Sequence, residues 1–474
     1  MQLKVLRLSL PSTQLLFSFR NNSSSASTIY ALSSGHGKCG VAVIRISGPK
    51  ASEAIVRITR NSLPQPRHAM LRRLKDTVTN ETLDKGLILW FPGPKSFTGE
   101  DSCEFQVHGG PAVVSAVLTA LSKLPGFRPA EPGEFTKRAF HAGKLDLTEV
   151  EGLADLIHAE TEAQRKQAFL QMEGNLRQLY DTWRQILIKS MAHVEAYIDF
   201  SEDENIEENV LETVEENIKN LRSNIQKHLA DGRCGERLRD GVRTVIVGEP
   251  NVGKSSLLNL LCERPAAIVT PIAGTTRDVV EINMNIGGYP VIIADTAGLR
   301  FNTQDLVEQE GMTRARIHTE NADLVIIVID VTKYVKQHKN NNLSFISFIY
   351  NYIKELKLDT ILLKFVVNKM DMLEEDWKHV KDDGRRCVPQ LLDKLTDRLT
   401  KLCGKPSREL PCLTQARHRK HLTDCVMCLD EYLRICIDGG DSVLAAQQLR
   451  KALRQIGKIT GHTSFGTMFS TISK

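Results

Sequence analysis

The sequence predicts a multidomain protein that combines an α+β domain at the amino terminus, a discontinuous helical domain, and an α/β domain inserted between the two helical parts. The chain has 474 residues, more than one compact core usually holds. Apolar, β-branched segments typical of strands occur between residues 40 and 110 and again from residue 242 onwards. Long charged amphipathic segments without strand signals separate these regions and follow the second one.

The domain boundaries are expected where these patterns change. They are 1–34 for a transit peptide, 28–144 for the α+β domain, 145–239 for the first helical part, 240–410 for the α/β domain and 411–474 for the second helical part.

Composition indicates an ordinary globular protein. Hydrophobic residues make up 41% and charged residues 25% of the chain, and no apolar run reaches the ~18 residues that span a bilayer. The sequence therefore predicts no membrane span. The net charge of +5 permits a polyanionic partner but is too small to identify one.

The ten cysteines lack the paired spacing of a disulfide framework, which favours a reducing compartment. His418, His421, Cys425 and Cys428 have a helical spacing that would gather their side chains on one face, as in a metal site. A single CxxC lacks the second ligand pair of a zinc framework. Because the stretch is amphipathic, the sequence favours core packing over metal binding.

The amino-terminal stretch resembles a mitochondrial targeting segment. It contains the basic residues Lys4 and Arg7 and a serine cluster from Ser23 to Ser27, and its first acidic residue is Glu53. Such a composition predicts a transit peptide over 1–34 and import into the mitochondrial matrix. A disordered tail is the alternative interpretation.

In the amino-terminal domain, GVAVIRISG at 40–48 and CEFQVHGG at 103–110 predict strands, and a helix is expected from Pro111. From about Leu145 to Gly232 the pattern is helical.

Strand patterns return as RTVIVGEP, YPVIIADT, DLVIIVID and TILLKFVV, with helical stretches such as 344–357 between them. Alternating strands and helices predict a doubly wound parallel sheet, which binds ligands at the carboxyl ends of its strands. From about Cys412 the chain is predicted to be helical again.

The segment GEPNVGKS at 248–255 fits the phosphate-loop pattern, and it follows a predicted strand and opens a predicted helix. In such a loop the lysine, here Lys254, contacts the β and γ phosphates, and the hydroxyl of Ser255 is a ligand of Mg²⁺. The nucleotide-binding residues predicted in this segment are Asn251, Val252, Gly253, Lys254, Ser255 and Ser256.

Two further segments are expected near the γ-phosphate. DTAG at 295–298 ends a predicted strand, where Asp295 would hold Mg²⁺ through water and Gly298 would offer its N–H to the phosphate. GTTRD contains Thr276, a candidate Mg²⁺ ligand from a switch loop. Lys254 and Thr276 are therefore candidate catalytic residues.

NKMD at 368–371 indicates guanine rather than adenine. The Asp371 carboxylate can accept both the ring N–H and the exocyclic amine of guanine, whereas adenine would leave it unpaired. Asn368 and Lys369 complete this motif, and the four motifs in order predict a GTPase.

Leu299 stands where Ras-type GTPases have a glutamine that orients the attacking water, so another group must do this. Asn251 in the phosphate loop could hold a monovalent cation.

The segments GEPNVGKSSLLN, AAIVTPIAGTTRD, DTAGLR and NKMD together resemble the MnmE/TrmE tRNA modification GTPases. The similarity extends to SFTGEDSCEFQVHGGP and PAEPGEFTKRAFHAGKLDLTEVEGLADLIHAET outside those motifs. The resemblance implies an N-terminal folate-binding-like α+β domain, a discontinuous helical domain and an inserted Ras-like P-loop GTPase domain.

The resemblance also implies site residues. The residues implied to bind folate are Arg45, Glu104, Lys144 and Lys474. Those implied to hold potassium are Asn251, Thr270, Ile272 and Thr275, of which Thr270 and Thr275 also belong to the GTP site. Glu308 matches an acid that orients the attacking water, and is the third candidate catalytic residue.

By the same resemblance, the protein is a homodimer that hydrolyses GTP with Mg²⁺ and K⁺ and carries a tetrahydrofolate derivative, 5-formyl or 5,10-methylene. It would act with an FAD-dependent MnmG/GidA-type partner on tRNA, modifying C5 of the wobble uridine with a carboxymethylaminomethyl- or taurinomethyl-type group. A GTP-responsive ribosome or RNA assembly factor without modification activity is the alternative.

The chain departs from the family pattern in two places. Thr471 stands where the family's tail has a cysteine. Between Asp371 and Leu410 there is no serine-alanine or serine-cysteine guanine-binding loop. Loss of that loop is expected to weaken guanine binding.

Overall fold

A computed structural model describes residues 27–200, 209–248, 251–262, 281–294, 322–332, 354, 363–368, 387–407 and 411–461. The chain divides into two compact units, Met1–Leu145 and Asp146–Lys474. No helix among these residues is long and apolar enough to cross a membrane.

The first unit is an α+β domain built on a mixed sheet. Its elements are β1 Thr28–Leu32, β2 Cys39–Ser47, α1 Ala51–Thr59, β3 Met70–Lys75, β4 Thr82–Phe91, β5 Ser102–Gly109, α2 Pro111–Ser122, β6 Phe127–Pro129 and α3 Glu134–His141. The strand order is β3-β4-β5-β2-β1-β6, and neighbours are antiparallel except for β1 and β6. The strands predicted at 40–48 and 103–110 and the helix from Pro111 are confirmed.

One face of this sheet forms the core because alternate strand residues point to the same side. Ile44 and Ile46 of β2 and Phe105 of β5 are fully buried, in one cluster with residues of α1 and α2. The residues between them in sequence, Arg45 and Glu104, therefore lie on the opposite face and are only partly buried. This alternation positions a charged pair on the sheet face opposite the core.

The second unit begins and ends in helices. Its elements are α4 Leu147–His158, α5 Glu162–Met172, α6 Asn175–Phe200, α7 Asn209–Leu229, α8 Cys234–Asp240, β7 Val242–Val247, α9 Lys254–Cys262, β8 Glu281–Ile286, β9 Tyr289–Ala294, β10 Leu324–Asp330, β11 Leu363–Asn368, α10 Cys387–Cys403, α11 Ala416–Ile437 and α12 Ser442–Thr460. Apolar residues of α6 and α7 share one core with those of α11 and α12. The predicted discontinuous helical domain is thereby confirmed, since segments from before and after the sheet pack together.

The cysteine-containing helix α11 packs into that core. Cys425 is fully buried beside Leu422 and Leu429, one helical turn away in each direction. His418 is also buried, and its Nε2 lies 2.8 Å from a carboxylate oxygen of Glu151 in α4. Core packing, as the sequence favoured, therefore accounts for this stretch.

The inserted domain has a five-stranded sheet in the order β11-β10-β7-β9-β8. The predicted doubly wound parallel sheet is confirmed for β11, β10, β7 and β9, while the edge strand β8, which the sequence patterns did not predict, is antiparallel to β9. The reason is local: Gly287 and Gly288, both with positive φ, form a tight turn that returns the chain beside β8. The predicted helical stretch 344–357 lies outside the described residues except for Lys354.

Candidate functional site

The phosphate-loop segment connects β7 to α9 at the carboxyl end of the central strand of the sheet. Asn251 has φ 63° and Gly253 has φ 97°, so the backbone adopts left-handed conformations twice on the way into the helix. Asparagine tolerates such a conformation, whereas Gly253 has a second constraint. A Cβ atom built there would lie 2.1 Å from Nδ2 of Asn368, so only glycine fits.

Lys254, the first residue of α9, folds back over this loop. Its Nζ donates a hydrogen bond to the backbone carbonyl oxygen of Gly248, 2.8 Å away. Ser255 and Ser256 follow it and are exposed, while Val252 is buried in the core of the domain. The ammonium group is thus held beside the loop, and the hydroxyl groups face solvent at the amino end of a helix, where anions are favoured.

Asn368 ends β11 and joins the guanine motif to the phosphate loop. Its Nδ2 donates to the carbonyl oxygen of Val252 at 2.7 Å. The register that pairs Asp330 of β10 with Asn368 brings the end of β11 level with its neighbour in the sheet. Sequence reasoning assigned Asn368 to the nucleotide alone and missed this tether, because the pattern gives no sign of a contact across 116 residues.

Other predicted site residues lie outside the described residues. They are Thr270, Ile272, Thr275, Thr276, Asp295, Gly298, Glu308, Lys369, Asp371 and Lys474.

A second cluster lies in the first unit, on the sheet face opposite its core. Arg45 and Glu104 are direct partners in the β2–β5 register, and Nε and Nη2 of the arginine each lie 2.9 Å from Oε1 of the glutamate. Their side chains are 29% and 19% exposed, so the pair remains accessible from solvent.

Two aromatic rings flank the arginine of this pair. The Arg45 Cζ atom lies 5.2 Å from the ring centroid of Phe97 and 5.8 Å from that of Phe135, within the range of cation–π attraction. Phe97 is 38% exposed and precedes β5 in a loop, and Phe135 belongs to α3. Sequence reasoning missed both rings. Phe97 lies in SFTGEDSCEFQVHGGP and Phe135 in PAEPGEFTKRAFHAGKLDLTEVEGLADLIHAET, so their positions in these matching segments were the available signals.

Lys144 is exposed and lies against the loop that carries Phe97. Gly99 in this loop has φ 79°, and a Cβ atom built there would lie 2.8 Å from Cβ of Ala142 and 3.6 Å from Cε of Lys144. The structure therefore joins Arg45 and Glu104 in one ion pair and brings Lys144 against the neighbouring loop.

The same loop is anchored by ion pairs beneath it. Ser47 donates to Oε2 of Glu100 at 3.0 Å, and Nη1 of Arg138 donates to the same oxygen at 2.9 Å. Arg138, 4% exposed, also reaches Glu134 at 3.0 Å. The hydrogen bond from Arg128, with further help from Arg138, lowers the pKa of Glu134 to about 2 despite its burial. Glu134 therefore stays ionised, and Arg138 connects it to Glu100 in the loop.

Comparison with known proteins identifies the domains that carry these residues. The family model of the MnmE helical domain matches residues 147–472, and that of the GTP-binding protein TrmE N-terminus matches residues 28–144. The chain is 50% identical to the mitochondrial "5-taurinomethyluridine-[tRNA] synthase subunit GTPB3" of Danio rerio, over 92% of this chain and 90% of that protein. It is 48% identical to the Homo sapiens protein of the same name, with the same coverage of 92% and 90%. It is 46% identical to the "tRNA modification GTPase MnmE" of Parvibaculum lavamentivorans, over 94% of this chain and 98% of that protein. With the phosphate loop and the guanine motif joined at the carboxyl edge of the inserted sheet, this chain belongs to the MnmE/TrmE family of tRNA modification GTPases.

Proposed function

We propose that this tRNA modification GTPase is activated by potassium and installs a C5 substituent on the wobble uridine of mitochondrial tRNA, using a tetrahydrofolate one-carbon donor. The observation that carries the GTPase part is the hydrogen bond from Asn368 to Val252 beside the folded-back Lys254, which links base recognition to phosphate binding. The taurinomethyl type of product is favoured because relatives 46–50% identical are named 5-taurinomethyluridine-[tRNA] synthase subunits.

The phosphate-binding residues supply positive charge and hydrogen-bond donors for GTP. When GTP binds, Lys254 would give up its hydrogen bond to the Gly248 carbonyl oxygen and donate to the phosphates instead. The bond from the ammonium group to a phosphate is stronger because both partners are charged. The exposed Ser255 hydroxyl would be a ligand for Mg²⁺, together with Thr276 from the switch segment. Bound Mg²⁺ supplies charge that offsets the phosphates.

Potassium binding is proposed for the outer side of the same loop. Asn251 is exposed, and a side-chain amide oxygen is a suitable ligand for a hard monovalent cation. Thr270, Ile272 and Thr275 would complete the set of oxygen ligands. A cation there supplies the charge that other GTPases obtain from an arginine finger, and Glu308 would orient the attacking water.

Steady-state GTP hydrolysis in matched potassium and sodium buffers tests the cation. Wild type is expected to be faster in potassium, and Asn251→Ala is expected to lose that stimulation. Asn259→Ala is the matched control, because Asn259 is an exposed asparagine of α9 away from the loop. Equal rates in both salts, or full stimulation in Asn251→Ala, would refute potassium activation.

The folate donor is proposed to bind at Arg45, Glu104 and Lys144, with Lys474 from the tail. A reduced folate has a pterin ring with donors that suit a carboxylate and a glutamate tail that suits cations. The rings of Phe97 and Phe135 beside Arg45 add flat apolar surface for a pterin. Bound folate supplies the one-carbon unit, and these residues would hold and orient it.

Titration of 5-formyltetrahydrofolate into the full chain tests this site. Glu104→Ala is expected to lower the affinity at least tenfold, because it removes the acceptor and leaves Arg45 without its partner. Glu81→Ala, an exposed acid of the same unit, is the control and is expected to bind like wild type. Unchanged affinity in Glu104→Ala would remove the pair from the folate site.

The remaining proposals concern place and partners. We infer that residues 1–34 direct the chain to the mitochondrial matrix, and that it acts as a homodimer with an FAD-dependent MnmG/GidA-type protein. Support comes from the word mitochondrial in the names of relatives and from their description as synthase subunits. Mass spectrometry of mitochondrial tRNA nucleosides after depletion is expected to show loss of the wobble modification. An unchanged nucleoside profile would refute the modification role.

A further inference from the structure

The last described helix, α12, carries positive charge and no negative charge. Between Ser442 and Thr460 it contains Arg450, Lys451, Arg454 and Lys458, and no Asp or Glu. No acidic residue follows Asp441 anywhere in the sequence. The excess of cations over this region contrasts with the nearly balanced chain of 62 basic and 57 acidic residues.

Helix geometry brings these cations to one side. At about 100° per residue, positions 450, 451, 454 and 458 fall within about a 100° sector of the helix. The opposite side packs in the helical core, where Leu449, Ala452 and Ile456 are fully buried. All four cationic residues are exposed. Lys451 and Lys458 lie about 10 Å apart along the axis, two turns of helix.

The neighbouring helix α11 contacts α12 near its carboxyl end. Nη1 of Arg417 donates to the backbone carbonyl oxygen of Lys458 at 2.8 Å, and Nδ1 of His421 lies 3.0 Å from Oε1 of Gln455 in α12. Burial lowers the pKa of His421, and the charges of Lys458 and Arg417 lower it further despite that hydrogen bond. Lys458 and Arg417 therefore lie close enough to act on this histidine, as does Asp424, whose charge acts in the opposite direction.

Carboxylates neutralise only part of this surface. Arg450 is paired with Glu195 at 2.6 Å, and Glu431 of α11 is paired with Arg434 at 2.7 Å. Lys451 and Lys458 form no ion pair within the part of the chain that the structure describes. Uncompensated cations on one surface repel one another, and a polyanion relieves this repulsion.

We propose that the cationic face of α12, formed by Lys451, Arg454 and Lys458, binds the phosphate backbone of RNA. The proposal rests on tRNA being the substrate. α12 contains no aromatic residue to stack on a base, so the contact would be made to phosphates and would not depend on base sequence. An acidic protein surface fits less well, because lysine is depleted in protein–protein interfaces and the face lacks an aromatic anchor.

Phosphate contacts have a measurable signature. Each lysine that neutralises a phosphate releases condensed counterions, so the slope of log affinity against log salt decreases by about one when that contact is lost. Reversing the charge of two lysines is therefore expected to reduce the slope by about two.

The test is binding of a fluorescein-labelled tRNA transcript with uridine at the wobble position to the full-length protein over a range of potassium chloride concentrations. Lys451→Glu combined with Lys458→Glu is expected to lower affinity at least tenfold and to reduce the salt slope by about two. Lys451→Arg with Lys458→Arg is expected to retain affinity. Lys227→Glu, at an exposed lysine of α7, is the control for charge reversal at another surface site and is expected to bind like wild type. GTP hydrolysis without tRNA is expected to be unchanged, because these residues are not part of the phosphate loop.

An unchanged affinity and slope in the double glutamate variant would overturn the proposal, as would a wild-type protein that binds no tRNA. Loss of binding to the FAD-dependent partner with unchanged tRNA affinity would identify a protein-docking surface instead and would also overturn it. If the glutamate variant melts at a lower temperature, Lys451→Gln with Lys458→Gln gives the same comparison without added negative charge. RNA binding is measured independently of potassium stimulation and folate binding, so failure here is distinguishable from failure of the proposed function.

Discussion

Asn368→Ala isolates the hydrogen bond that connects the guanine motif to the phosphate loop. The donor Nδ2 lies 2.7 Å from the Val252 carbonyl oxygen, and Asn368 is partly buried. Alanine removes the donor and leaves the carbonyl oxygen partly buried without it, at a cost of about 1 kcal/mol. Since about 1.4 kcal/mol corresponds to a factor of ten, nucleotide affinity is expected to fall about fivefold through the loop alone.

The assay is titration of a fluorescent GTP analogue into the full-length protein, with competition by GTP and by inorganic tripolyphosphate. Both competitors are expected to weaken in Asn368→Ala, because the tether shapes the loop that holds the phosphates. Asn285→Ala is the control, since Asn285 accepts one hydrogen bond from Gly288 N at 2.9 Å in the β8–β9 turn. If Asn368→Ala weakens GTP but leaves tripolyphosphate unchanged, Asn368 acts only on the base and the reasoning fails.

Three further predictions concern stability and are checked by thermal unfolding. Burial lowers the pKa of His228 from 6.5 to about 4, so between these pH values the unfolded chain binds more protons than the folded one. The free energy of unfolding is therefore expected to fall by about 3 kcal/mol as the pH drops from 6.5 toward 4. His228→Phe is expected to flatten this profile, and an unchanged acid-side slope would contradict the prediction. Gly152→Ala is expected to destabilise the folded protein by about 1–3 kcal/mol, because the new Cβ would lie 2.6 Å from a backbone nitrogen of α5. Gly40→Ala is expected to be near neutral, since a Cβ there has nothing within 4 Å. Equal effects of the two substitutions would refute the packing argument. Arg138→Met is expected to cost about 1–3 kcal/mol, because it leaves Glu100 without its cation and Glu134 with Arg128 alone. Arg165→Met, in an exposed pair, is expected to cost less than about 1 kcal/mol. Similar melting temperatures would contradict the claim that the first network anchors its loop.

Several elements of the fold were predictable because one local pattern determines them. The apolar, β-branched pattern of the segment 40–48 indicates a half-buried strand. Pro111 occupies the first position of a helix, where its missing N–H costs nothing. β3 was not predicted, since it is an edge strand in which only Leu74 is buried and the charged Arg72 and Arg73 mask the period. β8 was not predicted either, and its direction depends on the tight glycine turn that follows it.

The sequence by itself determined which chemistry this protein carries. The residue types and spacing of the phosphate loop suit phosphates, and those of NKMD suit guanine. Tertiary structure alone decided which groups meet. Arg45 and Glu104 form one pair because the β2–β5 register aligns residues 59 positions apart. Asn368 tethers Val252 because a parallel sheet brings the ends of separate strands to one edge. Such contacts depend on register and chain crossing, which no local pattern of residues encodes.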